Sequence, residues 1–213
     1  MGEAVSPQQI VEAARTSGCR SVAYTYTEPT IFFEYSYDTA ALAQEAHIAN
    51  VYVTNGYMTD AMLAQLHPYL DAANVDLKAC RDSTYREYIG ARLQPVLDTL
   101  KLMKQLGIWV EVTTLLIPDL NDDPQELRDA AQFIAEELGP DTPWHLSRFF
   151  PTYKLADLPP TPEATVTRAV EIGKAAGLHY VYGETHVRAR APFVTTAGKC
   201  SYGGWDIRSS RIA

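Results

Sequence analysis

The chain alternates strictly between short apolar segments and amphipathic segments of helical period, which constrains its fold more than any other feature. The apolar segments 51–56 and 108–118 are examples, and the helical pattern 94–107 lies between such segments. Apolar strands joined by helices are typical of a parallel sheet covered by helices. We therefore predict an α/β fold in which residues 1–183 form one domain. After residue 183 the periodicity is lost, and residues 184–213 are predicted to be a divergent C-terminal tail.

Composition and charge narrow the classes of partner. The 213 residues are 46% hydrophobic and 21% charged, with a formal net charge of -8. This acidic balance argues against nucleic acid or a membrane surface as partner and favours a small-molecule substrate. No apolar run approaches the roughly 20 residues that cross a bilayer, and no signal peptide opens the sequence, so a cytoplasmic location is expected. Cys19, Cys80 and Cys200 are scattered without metal-ligand spacing, so no metal site is predicted.

Polar side chains share one face of two predicted strands. Asn74, Asp76 and Lys78 alternate with apolar residues in one strand, and Glu111 and Thr113 do so in another. Successive side chains of a strand point to opposite faces, so these residues indicate a polar barrel lumen. The alternative is a buried ion pair, for example between Asp76 and Lys78, since buried charges are usually paired.

A carboxylate follows directly after the first predicted strand. In "AYTYTEPT", Tyr24 and Tyr26 belong to the strand, and Glu28 precedes Pro29. Proline cannot donate to a strand ladder, so the strand must end here. Ligands of parallel α/β proteins bind at the carboxyl ends of the strands, so Glu28 is expected to face a pocket.

The motifs "YTYTEPT", "VTNGY", "NVDLK", "VEVTTLLIP" with "LND", and "PWHLSRFFPTYKL" occur in one order between residues 6 and 182. Together they resemble radical SAM enzymes of the AmmeMemoRadiSam type, relatives of the pyruvate formate-lyase activating enzymes. The resemblance implies a partial TIM-like (β/α) barrel with parallel strands, truncated so that its first strand is missing.

The resemblance also implies a pocket for S-adenosylmethionine, with Glu28 at the methionyl end. The predicted substrate or cofactor pocket comprises Tyr24, Tyr26, Asn55, Gly56, Lys78, Thr113, His145 and Arg148. The family holds a [4Fe–4S] cluster with three cysteines on a loop after the first strand. This sequence begins at the helix after that loop, and Cys19 is not placed to substitute. The expectation is therefore a protein without an iron–sulfur cluster, with residual S-adenosylmethionine binding left open.

Two functional hypotheses follow from a barrel mouth without a cluster. The first is a hydrolase, acting on glycosides or esters, in which Glu28 is the general acid and Asp76 the base or nucleophile. Lys78 would favour the ionised form of Asp76, and Glu111 is the reserve for either role. His145 and Arg148 would bind an anionic substrate group.

The second hypothesis is an inactive or S-adenosylmethionine-binding fragment of a radical SAM activating enzyme. A sequence that starts after the loop and ends in a foreign-looking tail would fit a metagenomic or engineered reading frame. Under either hypothesis the barrel lacks its first strand and would expose a strand edge near Ala23, and exposed edges pair with other chains. A homodimer or other self-association is therefore expected.

Overall fold

The computed structural model describes residues 4–183, in which six strands alternate with helices. The strands are β1 (Ser21–Tyr24), β2 (Ala49–Thr54), β3 (Ala72–Asp76), β4 (Trp109–Leu116), β5 (Trp144–Arg148) and β6 (Val181–Gly183). The helices are α1 (Pro7–Thr16), α2 (Phe33–Glu45), α3 (Asp60–Leu66), α4 (Asp82–Thr84), α5 (Leu93–Gln105), α6 (Pro124–Phe133) and α7 (Glu163–Ala175). π-helical turns extend α4 (Tyr85–Ile89) and α6 (Ile134–Leu138), and a 3-10 turn (Tyr153–Leu155) follows β5.

The six strands form one sheet in chain order, β1 to β6. Every neighbouring pair is parallel, and helices lie on the connections. Sequential parallel strands with helical crossovers are the repeating unit of a (β/α) barrel. The predicted α/β class and the partial TIM-like architecture are therefore confirmed. The first strand ends at Tyr24, so Tyr26, which was predicted to belong to it, lies on the loop that follows.

The two faces of the sheet differ in burial. On one face, Tyr52, Val75 and Trp144 are fully buried beneath the helices and form the main hydrophobic core. On the other face, Asn74 and Glu111 remain partly exposed. The alternation predicted for β3 and β4 is thus confirmed, and we call the partly exposed surface the inner face. It carries the polar groups from which a site can be built.

The helices start where capping chemistry allows. Ser6 and Gln9 form a reciprocal capping box at the start of α1, with Pro7 in its first turn. The Asp123 carboxylate accepts hydrogen bonds from the backbone N–H groups of Gln125 and Glu126 at the start of α6. The Asp123 cap fixes where α6 begins after β4, and the capping box fixes the start of α1 before β1.

The outer strands have one neighbour each in the part of the chain that the structure describes. There, β1 pairs with β2 and β6 pairs with β5. The predicted self-association through an exposed edge stays a prediction. The predicted tail, 184–213, with Cys200, lies outside the described residues. Within residues 4–183, no helix combines the length and the apolar character that crossing a membrane requires.

Asn50 connects β1, β2 and α2 from inside the core. Its amide Nδ2 donates to the carbonyl oxygens of Ala40 (3.0 Å) and Tyr69 (2.9 Å), and its Oδ1 accepts from the Tyr24 hydroxyl (2.8 Å). Its backbone N–H donates to Asp71 Oδ2 at 2.7 Å. Because the side chain is fully buried, water cannot replace it in these bonds.

We expect Asn50→Ala to lower the free energy of unfolding by at least about 3 kcal/mol, since the buried Tyr24 hydroxyl, the buried Ala40 carbonyl and the partly buried Tyr69 carbonyl lose their partner. Urea-induced unfolding followed by circular dichroism measures this change. The exposed amide of Gln8 provides the control, and Gln8→Ala should change the free energy of unfolding by less than about 0.5 kcal/mol. Equal effects of the two substitutions would contradict the role given to Asn50.

Candidate functional site at the strand ends and inner face

Glu28 links the carboxyl ends of β1 and β2. Its buried carboxylate accepts hydrogen bonds from the Thr54 hydroxyl (2.6 Å, Oε1) and from the backbone N–H of Asn55 (2.8 Å, Oε2). The Thr30 hydroxyl and backbone N–H also donate to Oε1. The carboxylate therefore acts as an acceptor on both oxygens and fixes the loop that follows β2.

The turn after β2 lies tightly against β3. Asn55 Oδ1 accepts a hydrogen bond from the backbone N–H of Tyr57 (2.8 Å), and Gly56 has a φ of +71°. A Cβ on Gly56 would lie 2.7 Å from Val75 Cγ1, inside any real contact distance. Glycine is thus needed here both for its backbone conformation and for the close approach to β3. The predicted pocket residues Asn55 and Gly56 lie beside Glu28.

Asp76 and Lys78 form an ion pair at the carboxyl end of β3. Lys78 Nζ lies 2.9 Å from Asp76 Oδ2, and the two side chains are 40% and 41% exposed. The pair exists as the sequence allowed, but it is half exposed rather than buried. Both charges are accessible to a ligand at the strand ends.

Glu111 and His145 form a second polar pair on the inner face. His145 Nε2 lies 2.7 Å from Glu111 Oε2, and Trp109 Nε1 donates to Glu111 Oε1 at 3.2 Å. The imidazole ring stacks on Tyr182, with ring centroids 5.1 Å apart. The hydrogen bond from His145, helped by that from Trp109, holds the pKa of Glu111 below its ordinary value against the opposing effect of burial. Glu111 is therefore set up as an ionised acceptor.

Strand register arranges these groups in rows. Asp76, Thr113 and His145 are register partners on β3, β4 and β5. Asn74 and Glu111 are partners two residues closer to the strand starts. The Thr113 hydroxyl donates to Asn74 Oδ1 at 2.9 Å, so the rows are linked. The sequence predicted that these side chains share a face, and the register now shows that they are neighbours.

The two predicted tyrosines do not join this group. Tyr24 is buried in the core, where its ring lies 5.4 Å from that of Tyr52 and its hydroxyl binds Asn50. Burial raises the pKa of Tyr24, so its hydroxyl stays a donor. Tyr26 is 92% exposed on the loop after β1. Neither side chain is placed with the polar groups of the inner face.

Arg148 also lies apart from His145. Its Nε donates to the Thr161 carbonyl oxygen (2.8 Å), and its Nη1 lies 3.2 Å from Glu163 at the start of α7. Arg148 has the same parity along β5 as the buried Trp144, whereas His145 has the opposite parity. The two side chains leave β5 on opposite faces, which disfavours a joint contact of His145 and Arg148 to one anion, and that contact stays a prediction.

Sequence reasoning missed Tyr182, Asn121 and Glu126. Tyr182 reads as one more apolar residue of a strand, and Glu126 as one more acidic residue of a helix start. Both gain their role through tertiary contacts, to His145 and to the backbone after β3. Asn121 gave a signal in the "LND" motif, but its bond to the Lys78 carbonyl oxygen spans 43 residues of sequence.

The residues that the structure describes offer no metal centre of their own. Among residues 4–183, no three His, Cys, Asp or Glu side chains are grouped so that they could hold a metal ion. Burial raises the pKa of the Cys80 thiol to about 11, which disfavours the thiolate that binds metals. The described residues therefore do not fit an iron–sulfur cluster by themselves.

Comparison with known proteins gives a family and a fold. A family model described as the radical SAM superfamily matches residues 1–134. The uncharacterized protein MJ0808 of Methanocaldococcus jannaschii is 46% identical over 178 residues, which are 84% of this chain and 53% of that protein. The chain therefore spans about half the length of this relative.

Two solved structures share the fold at low sequence identity. A domain of pyruvate-formate lyase-activating enzyme from Bacteroides vulgatus has a TM-score of 0.66 and 15% identity, covering 77% of this chain and 99% of that one. Streptococcus suis SuiB bound to S-adenosylmethionine has a TM-score of 0.64 and 16% identity, covering 80% of this chain and 40% of SuiB. At these identities the likeness shows the fold alone.

The expectation of a protein without cofactors is wrong. The radical SAM family match over residues 1–134 points to an iron–sulfur cluster and S-adenosylmethionine. The expectation rested on where the sequence begins relative to the cysteine loop. A chain that spans about half of its relative says nothing about a loop at that point.

We expect His145→Phe to raise the pKa of Glu111 toward its ordinary value, because the substitution keeps a ring against Tyr182 and removes the main hydrogen bond. Carboxyl-carbon NMR titration of 13C-labelled glutamate measures this pKa. In the parent, the stability from this pair is present at neutral pH and is lost as the pH falls through the lowered pKa of Glu111.

Trp109→Phe is the matched comparison, since it removes the lesser hydrogen bond to the same carboxylate. It should raise the pKa of Glu111 by less than His145→Phe does. An unchanged or lower pKa in the His145 variant would show that the pair does not control Glu111.

Proposed function

The chain belongs to the radical SAM superfamily, and from this premise we propose that the carboxyl ends of its strands bind S-adenosylmethionine as part of a radical SAM enzyme. One observation carries the proposal most directly, the half-exposed Asp76–Lys78 pair at the end of β3. The methionyl end of S-adenosylmethionine is a zwitterion, with an ammonium and a carboxylate on one carbon. A carboxylate and an ammonium 2.9 Å apart present the complementary charges.

Glu28 supports the same assignment from the neighbouring strand ends. Its Oε2 accepts one hydrogen bond, from the backbone of Asn55, and a carboxylate oxygen has room for a second. We assign it to the ammonium of the methionyl end, together with Asp76. Gly56 lets the turn beside Glu28 pack directly against β3, which holds the backbone N–H of Asn55 against the carboxylate.

The inner face supplies neutral and anionic acceptors below the strand ends. Thr113 and Asn74 present a hydroxyl and an amide, and Glu111 presents a carboxylate kept ionised by His145. Acceptor oxygens suit the ribose hydroxyls and the exocyclic amino group of adenosine, and the Asn74 amide N–H suits a ring nitrogen. We assign the inner face to the adenosyl part of the ligand.

The work of the described residues is to bind and orient S-adenosylmethionine. In this superfamily the bound molecule supplies radical chemistry through its reductive cleavage. The residues from 4 to 183 do not supply a set of cluster ligands, so no step of that cleavage is assigned to them. Their contribution is the charge complementarity at β3 and the acceptors on the inner face.

The hydrolase hypothesis receives no support from the family or from the solved structures. The hypothesis used Glu28 as the general acid and Asp76 as the base or nucleophile, with Glu111 in reserve. Glu28 holds the loop after β2, Asp76 pairs with Lys78, and Glu111 pairs with His145. We therefore do not retain it as a second candidate function.

We expect the purified chain to bind S-adenosylmethionine, and we expect Lys78→Gln and Asp76→Asn each to weaken binding about tenfold. Each substitution removes one charge-assisted hydrogen bond to the ligand, and such a bond contributes about 1.5–3 kcal/mol. Isothermal titration calorimetry at constant ionic strength measures the dissociation constants.

Exposed residues of the same types provide the controls. Lys174→Gln on α7 and Asp38→Asn on α2 remove the same charges away from the strand ends and should leave the affinity unchanged. A folded parent protein that does not bind S-adenosylmethionine would overturn the proposed function. Site variants that bind as tightly as the parent would overturn the assignment of the Asp76–Lys78 pair.

A further inference from the structure

We propose that four side chains behind the sheet, Tyr85, Thr114, Asn121 and Glu126, position Lys78 for the methionyl carboxylate of its ligand. We call these four side chains the β3 clamp, because they bind the backbone that directly follows β3. None of them belongs to the strand-end site described above. The inference rests on the proposed function for the identity of the ligand, but not for the existence of the clamp.

The first part of the clamp holds Leu77. The backbone N–H of Leu77 donates to the Thr113 carbonyl oxygen (2.9 Å), and the Thr114 hydroxyl donates to the Leu77 carbonyl oxygen (3.0 Å). Thr114 is itself held by Trp144, whose Nε1 donates to the same hydroxyl oxygen at 3.0 Å. The strand pairing of β3 with β4 is thus extended one residue by a side chain.

The second part holds Lys78. Its backbone N–H donates to the Tyr85 hydroxyl (3.2 Å), and Asn121 Nδ2 donates to its carbonyl oxygen (2.7 Å). The same Nδ2 donates to the Leu115 carbonyl oxygen (2.8 Å), and Asn121 Oδ1 accepts from the backbone N–H of Ile117 (2.7 Å). The buried Asn121 amide therefore ties the loop after β3 to the end of β4 with three hydrogen bonds.

The third part holds Cys80. Its backbone N–H donates to Glu126 Oε1 at 2.8 Å. Glu126 Oε2 lies 3.3 Å from Arg81 Nε, too poorly aligned for a hydrogen bond, and Arg81 is better bound to Asp123 at 2.8 Å. The Glu126 side chain is only 2% exposed, and it borders a cavity of about 10 Å³, roughly the space of one water molecule.

The hydrogen bonds of the clamp fix the backbone at Lys78, and this restricts the direction in which its side chain leaves the backbone. The neighbouring Leu77 is buried, and the clamp residues bind the backbone from the side of the helices. The Lys78 side chain projects to the other side, where its Nζ meets Asp76. A lysine side chain has several rotatable bonds, so a fixed backbone is what limits the positions its ammonium can reach. The clamp residues act through Lys78 and are positioning residues.

Asn121→Asp is the test variant, because it keeps the size of the side chain and the acceptor for Ile117. It replaces the donor to Lys78 and Leu115 with an oxygen that repels their carbonyls. We expect the affinity for S-adenosylmethionine to fall about tenfold. The affinity for 5′-methylthioadenosine, which lacks the amino-acid end, should change less than about twofold. Gln8→Glu, the same chemical change on an exposed side chain of α1, is the control.

A double-mutant cycle shows whether Asn121 acts through Lys78. In a Lys78→Gln background, Asn121→Asp should cost less than about twofold in affinity for S-adenosylmethionine, since the group it positions is already gone. Additive losses would overturn the inference. Equal losses for S-adenosylmethionine and 5′-methylthioadenosine would do the same, because they would indicate general disruption of the strand ends.

Amide hydrogen exchange of the ligand-free protein separates the clamp from the proposed function. Tyr85→Phe, which removes the acceptor of the Lys78 amide, should speed exchange of that amide. Glu126→Leu, the second variant if the first does not fold, removes the acceptor of the Cys80 amide and should speed its exchange. Exchange at Val51, on β2, should not change. Unchanged exchange at Lys78 and Cys80 in the folded variants overturns the clamp. A parent that binds neither ligand overturns the proposed function and the ligand role of Lys78, while exchange still decides the clamp.

Discussion

Parallel pairing of six strands in chain order is the constraint on which the rest of the structure depends. It brings every strand end to one edge of the sheet, so Glu28 meets Asn55 there, and Lys78 lies at the same edge after β3. It also fixes side-chain parity, so that one face packs beneath helices and the other keeps its polar groups. The positions of the site residues therefore depend on the strand register more than on any single side chain.

Much of this could be predicted because it follows from local periodicity. The apolar runs around β2 and β4 can be identified by their length and by the turns that follow them. The parity of Asn74 with Asp76, and of Glu111 with Thr113, requires only that strands alternate. Pro29 predicts the end of a strand because its ring removes the backbone N–H that a strand ladder needs. Each of these inferences uses neighbours within a few residues.

The remainder depends on contacts distant in sequence. Arg148 lies three positions after His145, and this odd spacing places the two side chains on opposite faces of the strand. Because both residues are polar, the sequence predicted that they share one anion site. Tyr24 is amphipathic, and only its contact to Asn50 shows that it belongs to the core. Asn121 and Glu126 act on backbone atoms more than 40 residues away. The cofactor error had a different origin, since it drew a chemical conclusion from the point where the sequence starts.

The close contact between Gly56 and Val75 also affects how mutational data on this fold are interpreted. In a deep mutational scan, Gly56 would tolerate substitution as poorly as a residue that touches ligand, because any Cβ there would force β3 away from the turn. A paired change, in which Val75 becomes smaller, would recover part of the lost fitness at Gly56 but none at Asp76. Such pairwise rescue would distinguish residues that set the spacing of the strands from residues that meet the ligand.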